Sequence, residues 1–352
     1  MKNRKILALV LTLIGLVMTA AGPFLPGGVH LVENDPPRVG HVTDLISDGA
    51  GSVYAGTQAG EIWHLDQGIW QPVRLDLGGH PVTAMLTQPG PKPVGTADGL
   101  YALPQGTPPL TGRISSLLET DAGLLVGTGS GLRLLADGRW QQPEADGNIY
   151  SLFAQRRGSE QWLHAGTVGA GALFAPAAAP GGSWNPNNAG LPDGANVFSF
   201  ATTDGGLLLA GTDDGLYWQT EPGQRWTTLS SALAGRRILS LYRAPAQAPD
   251  DPQRLWLGSD DGLHWIDLAE EGDSVTVQGE LTAADDPAHQ PRFGVSWIVP
   301  TDDGVMISAG DVFAFGSTRL PGWHWISLAG IALILAAGWL MPRPQANAAS
   351  EG

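Results

Sequence analysis

The sequence predicts an all-β fold: a seven-bladed β-propeller of four-stranded antiparallel blades, with one or two terminal transmembrane helices. Three observations predict it. A glycine-hinged motif recurs six times, beginning at Gly56-Thr57, Gly95-Thr96, Gly127-Thr128, Gly166-Thr167, Gly211-Thr212 and Gly258-Ser259, at spacings of 32 to 47 residues. Periods of that size mark radial or stacked repeats. Seven apolar-x-x-apolar openings precede the hinges, from Val42-Thr43-Asp44-Leu45 to Val295-Ser296-Trp297-Ile298. Finally, two uncharged apolar runs, Ile6 to Ala21 and Trp325 to Met341, lie at the chain ends.

The first run follows Lys2, Arg4 and Lys5, and residues 1–22 read as a signal anchor or a signal peptide. Thr19-Ala20-Ala21 resembles a small-residue cleavage site, so cleavage and retention both stay open. The second run, within a helix expected over 323–341, has 17 uncharged residues with Trp323, Trp325 and Trp339 at its ends. That length is the lower limit for a span, and tryptophan suits the membrane interface. Basic residues flank the outer ends of both runs. The expected topology therefore puts residues 23–320 outside the cytoplasmic membrane and the tail 342–352 in the cytoplasm.

Each repeat has the same internal order. An opening strand leads through a turn such as Thr203-Asp204-Gly205-Gly206 to an apolar run such as Leu207-Leu208-Leu209-Ala210. Short apolar runs bounded by turn residues read as buried strands. The Gly-Thr hinge follows, because a tight hairpin needs residues at positive φ. A third strand begins at Leu-Tyr-Trp or Leu-His-Trp, and a fourth often begins at a tryptophan after another glycine, as at Trp70, Trp140, Trp184 and Trp226. Four short antiparallel strands per repeat make a propeller blade. Blades are expected near 42–81, 82–113, 114–148, 149–196, 197–237, 238–293 and 294–316. The last supplies only three strands, and since a ring tolerates no open edge, the missing strand is expected from residues 28–33.

Two stretches carry a family resemblance. Gly211 to Trp226 (GTDDGLYWQTEPGQRW) resembles the repeat of bacterial neuraminidase-type propellers and of the photosystem II stability and assembly factor family, within the broader WD40/YVTN-like repeats. Gly182 to Pro192 is similar to the outer strand and exit loop of the same repeats. Of the Asp-box pattern Ser-x-Asp-x-Gly-x-Thr-Trp, Glu221, Gly223 and Trp226 keep three positions. Turns such as Asp137-Gly138-Arg139-Trp140 also resemble the propellers of two-component sensors. The likeness covers residues 42–316. It implies the fold, and as expectations of function it implies a binding or assembly scaffold for a protein partner, or a sensory propeller working through a partner subunit. One fold hosts many activities, so the residues must decide.

A sialidase-like glycosidase, hydrolase or lyase is the competing class. A sialidase site needs an arginine cluster, a tyrosine nucleophile and paired carboxylates. The Phe-Arg-Ile-Pro motif is absent, with Pro37-Arg38-Val39 near the start instead, and Tyr101 and Tyr217 occupy equivalent packing positions of the repeat. Tyr242 and Arg243 end an inner strand and are candidates to reach the channel. Asp98, Asp214 and Asp261, with Asp302-Asp303 in a different hairpin, are candidates for ion or ligand binding, against the simpler reading that aspartate before glycine makes turns. No catalytic set, metal site, cofactor motif or phosphate loop is expected, and the eight histidines share no ligand spacing. The chain has no cysteine. It carries 19 basic and 34 acidic residues, and without the flanking Lys2, Arg4, Lys5, Arg343 and Glu351 the middle holds a net charge of −18. A surface so acidic repels nucleic acid.

Overall fold

The structure, a computed structural model, describes residues 2–22, 26–34, 41–48, 52–66, 68–86, 93–245, 252–284, 294–301, 304–319 and 323–340. Asp302, Asp303 and the tail 342–352 lie outside the described residues. Helix α1 (Lys2–Ala21) leads to strand β1 (Pro26–Glu33). Seven antiparallel sheets follow. Blade 1 holds β2 (Val42–Ser47), β3 (Val53–Thr57), β4 (Ile62–Asp66) and β5 (Ile69–Val73), and blade 2 holds β6 (Val82–Ala84), β7 (Val94–Thr96) and β8 (Leu100–Tyr101). Blade 3 comprises β9 (Ile114–Thr120), β10 (Gly123–Thr128), β11 (Gly131–Ala136) and β12 (Arg139–Gln141). Blade 4 comprises β13 (Asn148–Arg157), β14 (Glu160–Val168), β15 (Ala172–Pro176) and β16 (Asn185–Pro186). In blade 5 stand β17 (Val197–Thr202), β18 (Leu208–Thr212), β19 (Gly215–Gln219) and β20 (Thr227–Thr228). Blade 6 is built from β21 (Ile238–Arg243), β22 (Gln253–Ser259), β23 (Gly262–Glu271) and β24 (Ser274–Ala283). Strands β25 (Trp297–Thr301), β26 (Gly304–Ala309) and β27 (Asp311–Arg319) begin blade 7, and β1 pairs with β27 as its fourth strand. Helix α2 (Trp323–Leu340) ends the described chain.

The inner strands β2, β6, β9, β13, β17, β21 and β25 each contact the next, and β25 contacts β2, so the ring closes around an axis. The chain forms two compact units: the ring, Leu31–Phe315, and a second unit, Met1–His30 with Gly316–Gly352, that contains both helices. In the second unit, Arg4–Ala21 is long and apolar enough to cross a membrane, and His324–Leu340 is a shorter apolar helix.

The hinge glycine is explained by the seams between blades. A Cβ on Gly56 would lie 2.4 Å from the Val82 side chain, one on Gly95 2.6 Å from Ile114, and one on Gly127 2.8 Å from Ile149. The opening residue of each blade thus occupies the space that a side chain on the preceding hinge would need. Val82, Ile114, Ile149, Val197, Ile238 and Val295 are all fully buried this way, each contributing about 2 kcal/mol by removal from water. The hinge threonine supplies the turn's hydrogen bonds: the hydroxyls of Thr96, Thr128, Thr167 and Thr212 donate to the carbonyls of Gly99, Gly131, Gly171 and Gly215 at 2.7–2.9 Å. Tryptophans of the outer strands stitch the sheets. Trp226 donates to the Asn187 carbonyl at 2.8 Å, Trp140 to that of Pro108 at 2.9 Å and Trp70 to that of Asn34 at 3.0 Å.

Blade 2 departs from the four-strand expectation, with three strands among the described residues. The segment after Tyr101 contains Pro104, Pro108 and Pro109, which have no amide hydrogen to give a ladder. It makes one bridge instead, Gly99 to Thr111, and the Leu110 carbonyl accepts from the Leu100 amide at 2.9 Å.

Candidate functional site

Register fixes what the inner strands offer to the axis. The third residue of each opening pairs with the hinge position of its own blade: Asp44 with Gly56, Ala84 with Gly95, Ser116 with Gly127, Ser151 with Gly166, Ser199 with Gly211, Ser240 with Gly258, and Trp297 with Ser308. The second residues are Thr43, Thr83, Ser115, Tyr150, Phe198, Leu239 and Ser296. All seven are at least partly exposed, although each follows directly on a buried opening residue. They form one tier of the central channel, at the end that carries the hinge turns.

This tier has two halves. In blades 1 to 3 the hydroxyl reaches across the seam: Thr43 donates to the Val82 carbonyl at 2.6 Å, Thr83 to that of Ile114 at 2.5 Å, and Ser115 to that of Ile149. In blades 4 to 6 the same place holds Tyr150, Phe198 and Leu239, none of which makes such a bond among the described residues. Tyr150 and Phe198 meet edge to face with ring centroids 5.3 Å apart, and Tyr150 is 38% exposed. Burial pushes the Tyr150 hydroxyl above its ordinary pKa; Arg113, exposed just before β9, pulls it down, and Asp44 pushes it up. The channel mouth therefore combines an aromatic wall, a cation and a hydroxyl-lined wall. Such a surface can hold an extended chain by ring contact and orient it by charge.

Asp44 is the other departure from the repeat. It is buried at the seam of blades 1 and 2, and neither carboxylate oxygen makes a hydrogen bond of ordinary geometry. Burial raises its pKa to about 7; the amides of Met85 and Leu45 face it closely enough to pull the other way, without offsetting the burial. Among the described residues neither oxygen has a hydrogen-bonding partner, which places the carboxyl with the packing of the seam.

The closing seam uses different chemistry. Ser308 replaces the hinge glycine and donates to the Val42 carbonyl at 3.1 Å, while Trp297 donates to the Thr43 carbonyl at 3.0 Å.

The aspartates and channel candidates named from sequence sit in separate places. Asp98 lies 3.6 Å from His80 on the surface, and Asp214 accepts from the Tyr217 hydroxyl at 3.2 Å. Asp261 accepts from Ser259 at 2.5 Å, stands 3.0 Å from His264 Nε2 and pairs with Arg236. Burial works to raise the Asp261 carboxyl, but those hydrogen bonds and the His264 and Arg236 charges outweigh it and hold it below the usual range. Each carboxylate is engaged next to its own turn, and among the described residues no three His, Cys, Asp or Glu side chains are grouped to hold a metal. Tyr242 packs against the cluster of Trp256, Phe315 and Leu31. Arg243 donates to Asp204 at 2.5 Å, joining blades 6 and 5.

Arg243 belongs to a network at the end opposite the hinge turns, which sequence reading did not find. Arg157 pairs with Asp273 and donates to the Thr220 carbonyl at 2.6 Å. The Gly205 amide donates to Glu270 at 2.9 Å, and Gln155 donates to the Gly206 carbonyl at 2.7 Å while facing buried His164. Burial lowers the His164 pKa to about 3. These bonds clamp blades 4, 5 and 6 together.

No family profile matches the sequence, and no curated relative does either. Solved propellers are similar in fold. The extracellular domain of a protein described as a hybrid two-component system from B. thetaiotaomicron matches with a TM-score of 0.62 at 13% identity, over 82% of this chain and 40% of that one. YCF48 bound to D1 peptide matches at 0.55 and 15% identity, over 84% and 98%. The WD40 propeller domain of Doa1 matches at 0.55 and 12% identity, over 82% and 97%. This chain thus spans less than half the length of the sensor domain. At these identities the likeness concerns the fold.

Proposed function

We propose that the chain is an extracytoplasmic binding propeller, anchored in the cytoplasmic membrane, that holds an extended segment of a protein partner at the hinge-turn mouth of its channel. The observation that carries this reading is the replacement of seam-bonding hydroxyls by Tyr150, Phe198 and Leu239 on three consecutive blades. At blades 4 and 5 the repeat gives up this inter-blade hydrogen bond for an aromatic pair that is at least partly exposed, whereas in blade 6 Ser240 donates to the Val295 carbonyl at 3.0 Å instead. The loss carries some cost in stability, and rule-breaking positions of that kind collect at functional sites. Arg113 adds a charge that would orient the segment. The peptide held by YCF48 in its solved complex supports a peptide-like occupant, and the extracellular placement of the sensor domain supports the side of the membrane. The apolar helix Arg4–Ala21 supports anchoring. The cytoplasmic placement of the C-terminus rests on the basic flank at Arg343.

The test is affinity capture from detergent-solubilised membranes, comparing the parent chain with a Tyr150→Ala/Phe198→Ala double variant. A stoichiometric partner retained by the parent and lost by a variant of unchanged thermal midpoint is the expected result. Equal capture by both chains, or no stoichiometric partner on either, would overturn the reading.

A further inference from the structure

In a water-soluble helix pair, large apolar side chains meet in the middle and small or polar ones face out. The pair formed by α1 and α2 has the opposite arrangement. Its closest contacts are between small residues in antiparallel register, with the Ile334 side chain packed beside Gly15: Ala8 and Ala337 are fully buried, Gly15 meets Gly330, and Thr19 meets Ser327. A Cβ on Gly15 would lie 2.5 Å from the Gly330 carbonyl oxygen, and one on Gly330 would lie 2.6 Å from that of Gly15. The backbones therefore touch at the crossing. Four residues on, the Thr19 hydroxyl, which donates to the Gly15 carbonyl of its own helix at 2.8 Å, lies 3.4 Å from the Ser327 carbonyl, and the Ser327 hydroxyl donates across to the Thr19 carbonyl at 3.4 Å. The spacing 8, 15, 19 on one helix and 337, 330, 327 on the other keeps one stripe of each in contact. Ile6, Leu7, Leu9, Leu13, Leu335 and Trp339 are exposed on the outside.

Helix association in a bilayer follows this plan: close backbone approach over glycine, hydroxyl bonds across the interface, and large apolar groups left to the lipid. We infer that α1 is retained in the mature protein as the packing partner of α2, the two forming one antiparallel hairpin with a lipid-covered outer surface and both chain ends on the same side of the membrane. A cleaved signal peptide needs no partner of its own, and the matching small-residue stripes would then have no use. The lipid part of this inference rests on the anchoring proposed above; the pairing and retention rest on the contacts.

The chain has no cysteine, so introduced pairs report cleanly. Membranes containing the full chain with Thr19→Cys and Ser327→Cys are oxidised with copper phenanthroline, digested and searched by mass spectrometry for the linked peptide. A Leu16→Cys/Leu328→Cys chain, with both cysteines on exposed positions, serves as the contrast. The expected result is linkage of the first pair only, together with an intact mass of the parent chain that includes α1. A mature chain starting beyond Ala21, or equal linkage of the two pairs, or none of either, overturns the inference. Sodium carbonate extraction separates this from the anchoring proposal. A cleaved chain that stays in the pellet defeats retention and leaves anchoring, whereas a linked chain that is extracted defeats anchoring and the lipid surface and leaves the pairing.

Discussion

Replacing Asp44 by asparagine should stabilise the ring, and by an amount that depends on pH in a defined way. Burial displaces the carboxyl from the ordinary aspartate value near 4 to about 7. The sign follows from linkage: in the pH range between those values the unfolded chain has released the proton and the folded chain has kept it, so stability falls as pH rises and levels off above about 7. At about 1.4 kcal/mol per pKa unit, the full loss is ~4 kcal/mol. The Asn side chain has nearly the same shape and no charge to lose. For a unit spanning Leu31–Phe315, an unfolding entropy of roughly 2 cal/mol/K per residue converts this to roughly 7 °C. The assay is differential scanning fluorimetry of parent and Asp44→Asn chains from pH 4 to 8.5. The difference in midpoint should be near zero at pH 4, grow through pH 5 and 6, and plateau above pH 7.5 in favour of the variant. Taking the difference also removes the contribution of His164. Its depressed pKa makes stability rise with pH between about 3 and 6.5, which opposes the Asp44 trend in the parent. The Asn chain alone should show that His164 slope. A midpoint difference that does not vary with pH, or a variant less stable than the parent at pH 8, would refute the assignment of an uncompensated carboxyl at this seam.

Four further substitutions probe the construction of the ring. Gly56→Ala places a methyl group 2.4 Å from Val82 and should cost about 1–3 kcal/mol in chemical denaturation; Gly182→Ala, whose nearest neighbour is 3.5 Å away, should change the midpoint little. Trp226→Ala removes a fully buried ring and its bond to the Asn187 carbonyl, with an expected loss of about 3–5 kcal/mol and a lower urea midpoint. Arg243→Ala breaks a partly exposed pair with Asp204 and should cost less than about 1 kcal/mol, a loss that shrinks further when the melt is repeated in 1 M salt.

The ring was legible because its repeats encode their own contacts. The hinge glycines and opening Val or Ile residues alternate in a constant order along the sequence, and the structure shows why: each glycine is the floor on which the next blade's opening residue rests. The prolines at 104, 108 and 109 were equally visible and account for the strand that blade 2 lacks. The channel mouth was harder to read, since Tyr150 and Phe198 look like ordinary strand aromatics within their own repeats. They differ only when the second residues of all seven openings are compared, and the same comparison down the third residues isolates Asp44 as the one acid. The clamp of blades 4 to 6 left no local sign. Arg157 and Asp273 meet because two long hairpins overhang the same end of the ring, a consequence of hairpin length and blade order that no short motif records. The aspartate turns drew attention through their repetition, whereas the structure gives each carboxylate a separate neighbour.

The seating of β1 beside β27 also has a consequence during synthesis. Strand β1 is made before the first blade and its hydrogen-bonding partner β27 after the sixth, so six blades leave the ribosome before the seventh can be sealed. Until then Leu31 and its neighbours have no sheet to join, and the growing ring ends in a bare edge of the kind that invites mispairing. Because one sheet takes its strands from both ends of the ring, circle formation waits for β27, and a product truncated before Gly304 would have all six earlier blades and still be unable to close.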